Sequence, residues 1–311
     1  MRYTRVMLTK HAHKGLVWVD LESPSQDELR KVATDYHLNP LVVHELSSPT
    51  LKPKVDLYRD YAYLILHFPQ GKRGNGNAVR DLEVDFVIGK KFLITVRHGG
   101  SDTFHLFGKL FDANAALDKE RLGAHAGFIF FHLLSKLYES LHLELGSIRE
   151  ALREIEQRIF DGEEREMVLA LSRVSRDLLD FNRSVSLHLD VLESFEVAGH
   201  TLFGTPFAFH LRTIVGEYTR VKHTLLSNEE SLKELRETNN SLVSTKQNAI
   251  MQKLTILAFI ALPATMVLSL FQINTVSRPI VGLPFDFWIL VALIGIIAFS
   301  LYSWFKRKHW L

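Results

Sequence analysis

LTILAFIALPATMVLSLFQI, residues 254–273, and FDFWILVALIGIIAFSLYSWF, residues 285–305, decide how the rest of the chain is read. Each run is about the 20 residues a helix needs to cross a hydrocarbon core. Together they hold one formal charge, Asp286. A short loop, residues 274–284, joins them, and the sequence closes on Lys306-Arg307-Lys308-His309-Trp310-Leu311. Two full-length apolar runs with a basic stop make a membrane hairpin; a buried core helix does not account for both. Lys246, Lys253, Lys306, Arg307 and Lys308 flank the outer ends of the hairpin, against Arg278 alone in the loop. That asymmetry places both termini in the cytoplasm and the loop outside, in a cytoplasmic (inner) membrane.

Immediately upstream, Leu211, Ile214, Tyr218, Val221, Leu225, Asn228, Leu232, Leu235, Asn239 and Leu242 follow a strict 3-4 alternation. This is a coiled-coil type of seam. No Pro or Gly interrupts residues 217–262. One helix is therefore expected from about Phe207 straight into the first apolar run, a rod of roughly 100 Å with roughly 70 Å of it outside the bilayer. Such a seam calls for association with the chain's own helices, with neighbouring subunits, or with both.

The same 3-4 spacing continues on another face as Asn248, Met251, Thr255, Ala258, Leu262, Thr265, Ser269 and Gln272. Five of these eight side chains form hydrogen bonds and none is charged. Ile256, Ile260, Val267 and Leu270 lie on a separate apolar face. Polar side chains at membrane depth face a partner helix or a water-filled cavity. Helix–helix adhesion and a pore wall both satisfy that requirement. One hairpin cannot enclose a pore, so a pore needs several copies around an axis, with Met251 and Leu262 as apolar constrictions. Pro263 removes a backbone donor and frees the carbonyl of Phe259. At the outer end Gln272 and Asn274 offer uncharged amide oxygens suited to the water shell of a divalent cation; Asn274 equally suits a helix C-cap.

The remaining chain reads as an α/β region followed by long helices. Leu16 to Asp20 is a strand. Ser23-Pro24-Ser25-Gln26 predicts a helix to about His37 with Ser23 as N-cap, Pro24 in its first turn and Gln26 in the capping box. Pro40 opens a short helix through Ser47. Val55 to Phe68 is aromatic and β-branched and predicts a strand. Gly71 to Asn77 is a glycine-rich loop without the GxGxxG pattern of a nucleotide site. Leu82–Ile88 and Phe92–Val96 form a hairpin around Gly89-Lys90-Lys91. Helices are expected over Thr103–Leu117, Ala124–Phe160 and, as one piece, Glu163–Ala198, with a break at Gly199–Pro206.

Composition excludes several functions. A net charge of +2 supports no nucleic-acid partner, and the absence of cysteine removes thiol nucleophiles and thiolate zinc sites. No GxSxG or P-loop is present, and His44-Glu45 lacks the second histidine of HExxH, so no enzyme is expected. MRYTRVMLTKHAHK has no apolar core for a cleaved leader. Among 15 histidines, His11-x-His13 and the pair His125 and His132 are candidate ligands for a soft divalent ion, against scattered structural roles. Glu163, Glu164, Glu166, Glu229, Glu230, Glu234 and Glu237 can concentrate cations or simply solvate helix faces.

NAIMQKLTILAFIALPATMVLSLFQIN, residues 248–274, resembles the pore helix of the CorA-type divalent-metal transporters, with Met251-x-x-Leu254-Thr255, Pro263 and a final Asn274. The basic end closing in Trp310-Leu311 is similar to that family's C-terminus. Trp18-Val19-Asp20-Leu21, Pro40-Leu41 to Glu45, Lys52-Pro53-Lys54-Val55, Tyr58 to Tyr61, and Glu83 to Val96 resemble its N-terminal segments, in order. The resemblance implies a homopentameric funnel. Its layout would be a cytoplasmic α/β domain (1–123), a long-helix stalk (124–253), a pore-lining transmembrane helix (254–273), an external loop (274–284), a second transmembrane helix (285–305) and a basic cytoplasmic tail (306–311). Lys306, Arg307 and Lys308 would ring the cytoplasmic mouth. The family's Gly-Met-Asn is Gln272-Ile273-Asn274 here, and Thr275, Val276, Ser277 and Arg278 replace the acids that usually follow. This pattern is similar to the zinc-transporting branch and the CmaX-type proteins. The expected function is passage of Zn2+, with Mg2+, Co2+ and Ni2+ as further cargo and no bound cofactor. The alternative is a non-conducting membrane-anchored scaffold or metal sensor.

Overall fold

The computed structural model describes residues 7–50, 52–70, 80–117, 123–272 and 285–308. Its contacts divide the chain into two compact units, residues 1–235 and 236–311.

The first unit is built on a six-stranded sheet in the order β1-β2-β6-β5-β4-β3. The strands are β1 (Met7–His13), β2 (Leu16–Glu22), β3 (Lys54–Leu57), β4 (Tyr61–Gln70), β5 (Arg80–Gly89) and β6 (Phe92–Arg97). Neighbours are antiparallel except β2 and β6, which run parallel. The β5–β6 hairpin forms as its alternation predicts. Strand β1 goes beyond that reading. It pairs with β2 through Lys14 and Gly15, whose φ values of 49° and 82° make the left-handed two-residue turn that matches strand twist. The strand expected over Val55–Phe68 is two strands, because Tyr58 donates its N–H to the Tyr61 carbonyl (2.9 Å) and turns the chain back.

Helices α1 (Gln26–Asp35) and α2 (Pro40–Leu46) cover one face of the sheet. The N-cap of α1 is Ser25, not Ser23. Ser23 has φ 50° and its N–H is tied to the Arg97 carbonyl, so it belongs to the end of the sheet. Ser25 and Glu28 then close a reciprocal capping box, at 3.3 and 2.8 Å. Under α1 and α2 lie Val19, Leu21, Leu29, Val32, Val42, Leu46, Tyr63, Ile65, Val87, Ile94 and Val96. The opposite face packs on α3 (Asp102–Ala116), α4 (Gly127–Phe160), α5 (Glu164–Val185) and α6 (His188–Phe203). Aromatic rings interlock there: Trp18 with Phe107 at 5.2 Å, Phe86 with Phe130 at 5.3 Å, and Phe130 with Phe195 at 5.1 Å.

The single helix expected over Glu163–Ala198 is broken between Val185 and His188. Tertiary bonds turn it. His188, fully buried, donates from Nε2 to the His67 carbonyl (2.8 Å) and accepts at Nδ1 from the Tyr138 hydroxyl (2.9 Å). The break expected over Gly199–Pro206 contracts to Gly204, with φ 85°. Helix α7 then runs unbroken from Thr205 to Gln272 with Pro263 inside it, and α8 spans Asp286–Arg307. The α7 seam from Leu211 to Leu235 is buried by the chain's own helices. Tyr218 meets the rings of Tyr138 and His188, and Asn228 donates to the Leu145 carbonyl at 2.9 Å.

Candidate ion path

Within the second unit, α7 and α8 meet through the rings of Phe259 and Phe305, 6.2 Å apart. The shielded positions of α7 are Ile256, Ile260, Pro263, Ala264 and Val267, and those of α8 include Leu290, Ile294, Ile297, Leu301 and Phe305. Each set recurs every three to four residues, the spacing of one helical face. Leu270, grouped with the apolar face by sequence, is exposed.

The polar stripe has the opposite environment. Asn248, Met251, Thr255, Ala258, Leu262, Thr265, Ser269 and Gln272 are all exposed. At 3.6 residues per turn they lie on roughly the other side of α7 from Ile256 and Ile260. Helix geometry thus brings the predicted side chains to one continuous surface that nothing among the described residues covers. Their chemistry is one-sided. Thr255 donates its hydroxyl proton to the Met251 carbonyl (2.7 Å), Thr265 to Leu262 (2.8 Å) and Ser269 to Thr265 (2.9 Å). With the protons spent on the helix, the oxygens present lone pairs outward as acceptors. Lys306, Arg307 and Lys308 are exposed at the end of α8. Asn274, Arg278 and the rest of the loop lie outside the described residues, as do Trp310 and Leu311.

The histidines behave differently. His11 donates to Asp112 at 2.6 Å and stacks on Trp18 at 4.8 Å, which makes it a clasp between β1 and α3. His13 lies two residues along the same strand. His125 stacks on Phe203 at 4.6 Å, and burial together with His210 pushes its pKa down. His132 lines a separate cavity of about 470 Å³ between α3 and α4, with Lys136 and Glu139. Among the described residues no three His, Asp or Glu side chains are grouped to hold a metal ion. Of the helical acids, Glu164 is buried, Glu163 pairs with Arg158 at 2.6 Å, and Glu166, Glu230, Glu234 and Glu237 are exposed.

Sequence reading missed a buried polar network in the sheet. Arg97 Nη2 bonds Asp20 Oδ2 and Glu22 Oε2, each at 2.9 Å. The Thr95 hydroxyl donates to Asp20 Oδ1 (2.7 Å) and accepts from the Trp18 indole (3.0 Å). Asp20, Thr95 and Arg97 each break an apolar strand pattern at the same face, which is the signal that marks them. Their partners saturate them, so Trp18 and Asp20 serve the fold.

The family model for the CorA-like Mg2+ transporter protein matches residues 13–307. The chain belongs to this family. This CorA-like chain is 21% identical to the cobalt/magnesium transport protein CorA of Thermotoga maritima, over 94% of its own length and 83% of the relative's. It is 23% identical to the putative metal ion transporter YfjQ of Bacillus subtilis, over 94% and 89%. Its fold matches the complete CorA magnesium transporter of Methanocaldococcus jannaschii with TM-score 0.82 at 19% identity, covering 95% and 92% of the two chains. It also matches the full-length CmaX protein with TM-score 0.70 at 17% identity, covering 95% and 89%. The CorA-like architecture is an N-terminal α/β unit, a long helix entering the second unit, and two C-terminal apolar helices. Helices α7 and α8 are the two described helices long and apolar enough to span a bilayer.

Proposed function

We propose that the chain transports divalent metal cations across a membrane, through an axial path walled by the α7 stripe of several copies. The observation that carries this reading is the contrast on α7: Ile256, Ile260, Pro263, Ala264 and Val267 are shielded, and the polar stripe on the other side is wholly exposed. Amides and hydroxyls do not face acyl chains without cost, so the stripe calls for copies of itself or for water. Five copies follow from the family resemblance, with residues 124–253 as stalk, both termini cytoplasmic, and Lys306, Arg307 and Lys308 at the inner mouth. Acceptor oxygens without carboxylates or imidazoles suit a cation that keeps its first water shell; they offer no soft, dehydrating site. Gln272 and Asn274 would meet the ion first, Met251 and Asn248 last. The relatives' names give magnesium and cobalt. We place Zn2+ first for this chain because Gln272-Ile273-Asn274 and Arg278 depart from the magnesium members' mouth.

Flux of Zn2+, Mg2+, Co2+ and Ni2+ into proteoliposomes tests the reading. Asn274→Ala should abolish it. A well-folded oligomer that moves none of the four would overturn it in favour of a membrane-anchored scaffold or sensor. Flux that follows only voltage and metal gradient identifies a channel; acceleration by an imposed pH gradient identifies proton coupling.

A further inference from the structure

Outside the candidate path, the first unit carries a second cluster of titratable groups, at the end of β4 and β5. His67 shares its Nε2 proton between the Thr50 carbonyl (2.9 Å) and Glu83 Oε2 (3.1 Å). Glu83 also accepts the Thr50 N–H with both oxygens, at 2.9 and 2.7 Å. Two residues along the same strand, on the same face, sits Asp85. It is wholly buried between Ile65 and Val96 of the neighbouring strands. The Tyr63 hydroxyl donates to its Oδ1 at 3.0 Å, and its Oδ2 has no partner. Other charged groups near the cluster do not neutralise it. Lys54 of β3 is held by Glu45 of α2 (2.7 Å) and Asp56 (2.6 Å). Asp81 of β5 binds the Ser184 hydroxyl of α5. His98, beyond the end of β6, faces Glu83 with its own pKa pushed down by burial. The one imidazole in the cluster bonds Glu83 rather than Asp85, and its buried Nδ1 has no partner.

The same strand ends hold the helical layer. From the helical layer His188 donates to the His67 carbonyl and Ser184 to Asp81, on either side of the α5–α6 break. That break leads to α7: Lys222 donates to Asn182 at 2.7 Å, and Asn182 to Glu229 at 3.2 Å.

We propose that the end of β4 and β5 is a proton-binding clasp. With Asp85 protonated and the His67 Nε2 proton held between Thr50 and Glu83, this end of the sheet grips Thr50 and the α5–α6 break together; losing the protons loosens both. The unpartnered Oδ2 is accounted for by a neutral acid, since an ionised Asp85 would stand beside Glu83 with one hydrogen bond and no cation. Burial and Glu83 push the Asp85 pKa well up, and the bond to Glu83 raises that of His67 despite burial. Both folded-state values lie above the unfolded ones. Their contribution is therefore complete at low pH and is lost as pH rises through the folded values, which for His67 means above about pH 6.5. This goes beyond the transport reading and does not depend on it: the device is pH acting on the anchoring of α5, α6 and α7.

Thermal unfolding of the full-length protein in detergent between pH 6.5 and 9, with hydrogen exchange of residues 50–57 and 184–188, tests the clasp. Wild type should lose about 5 °C in Tm across this range, and both segments should lose protection together. Asp85→Asn, a neutral isostere, should gain on wild type as pH rises, so that its melting advantage is larger at pH 9 than at pH 6.5, and should keep its protection. His67→Gln should flatten the remaining slope. If Asp85→Asn shows the wild-type slope, or if wild type shows none, the proposal is wrong. Exchange that changes in residues 50–57 without residues 184–188 would equally overturn the link between Thr50 and the α5–α6 break.

Discussion

The sheet of the first unit and the membrane half of α7 both carry polar side chains in apolar surroundings, with opposite bookkeeping. In the sheet, Asp20, Thr95 and Arg97 are buried and turn their hydrogen-bonding groups on one another. On α7, Thr255, Thr265 and Ser269 use their protons on their own helix and leave their oxygens facing outward. Saturated polar groups specify a fold, whereas nothing among the described residues meets the open ones. Charge separates the two as well. The sheet tolerates full charges because each has a partner, while the stripe has none and offers only dipoles.

The largest expected effect falls on the saturated side. Asp20→Ala leaves Arg97 buried beside Glu22 alone and should cost about 3–5 kcal/mol of stability. Chemical denaturation of the full-length protein measures it, and a cost below about 1 kcal/mol would break the contrast.

Next comes His188. Burial holds its pKa down at about 4. A depressed histidine must charge as the domain unfolds in acid, so stability should fall as pH drops from about 6.5 to about 4, by on the order of 3 kcal/mol. His188→Gln should be less stable at neutral pH yet lack that acid-limb component, as Tm against pH would reveal.

The open side should respond in the other currency. Thr265→Val and Ser269→Ala delete acceptors while keeping the helix, so the melting temperature should move little. Metal flux into proteoliposomes should nevertheless fall about tenfold, which corresponds to about 1.4 kcal/mol in the barrier. Unchanged flux would return the stripe to helix–helix adhesion.

The smallest effect sharpens a local reading. Ser25→Ala should cost about 1 kcal/mol through the lost cap, and Ser23→Ala should leave α1 unchanged, as helix content in thermal melts will register.

Two kinds of pattern made the sequence readable. The 3-4 recurrence from Leu211 to Gln272 exposes both faces of α7, because a helix converts spacing into direction without reference to anything else. The β5–β6 hairpin is legible for the same reason, at period two. Legibility failed where a distant residue decides. Nothing in Ser23-Pro24-Ser25 announces that Arg97 will take the Ser23 amide, and nothing near His188 announces the carbonyl of His67, 121 residues away. Strand β1 stands between these cases: its alternation is weak, and Lys14-Gly15 turns at positive φ without the Asn-Gly or Asp-Gly pair that marks such a turn.

The sequence by itself determined that two helices can span a bilayer and which face of α7 is polar, since length, hydropathy and 3.6-residue periodicity are properties of the local chain. Only the tertiary structure decided which of that helix's faces is already occupied. Shielding is a relation between surfaces: α8 meets the apolar stripe, the chain's own helices take the seam to Leu235, and Asn248 to Gln272 is left open. The same holds for the acids of β5. Their spacing shows that Glu83 and Asp85 share a face, but which of them finds a cation was settled by the approach of His67 and Thr50.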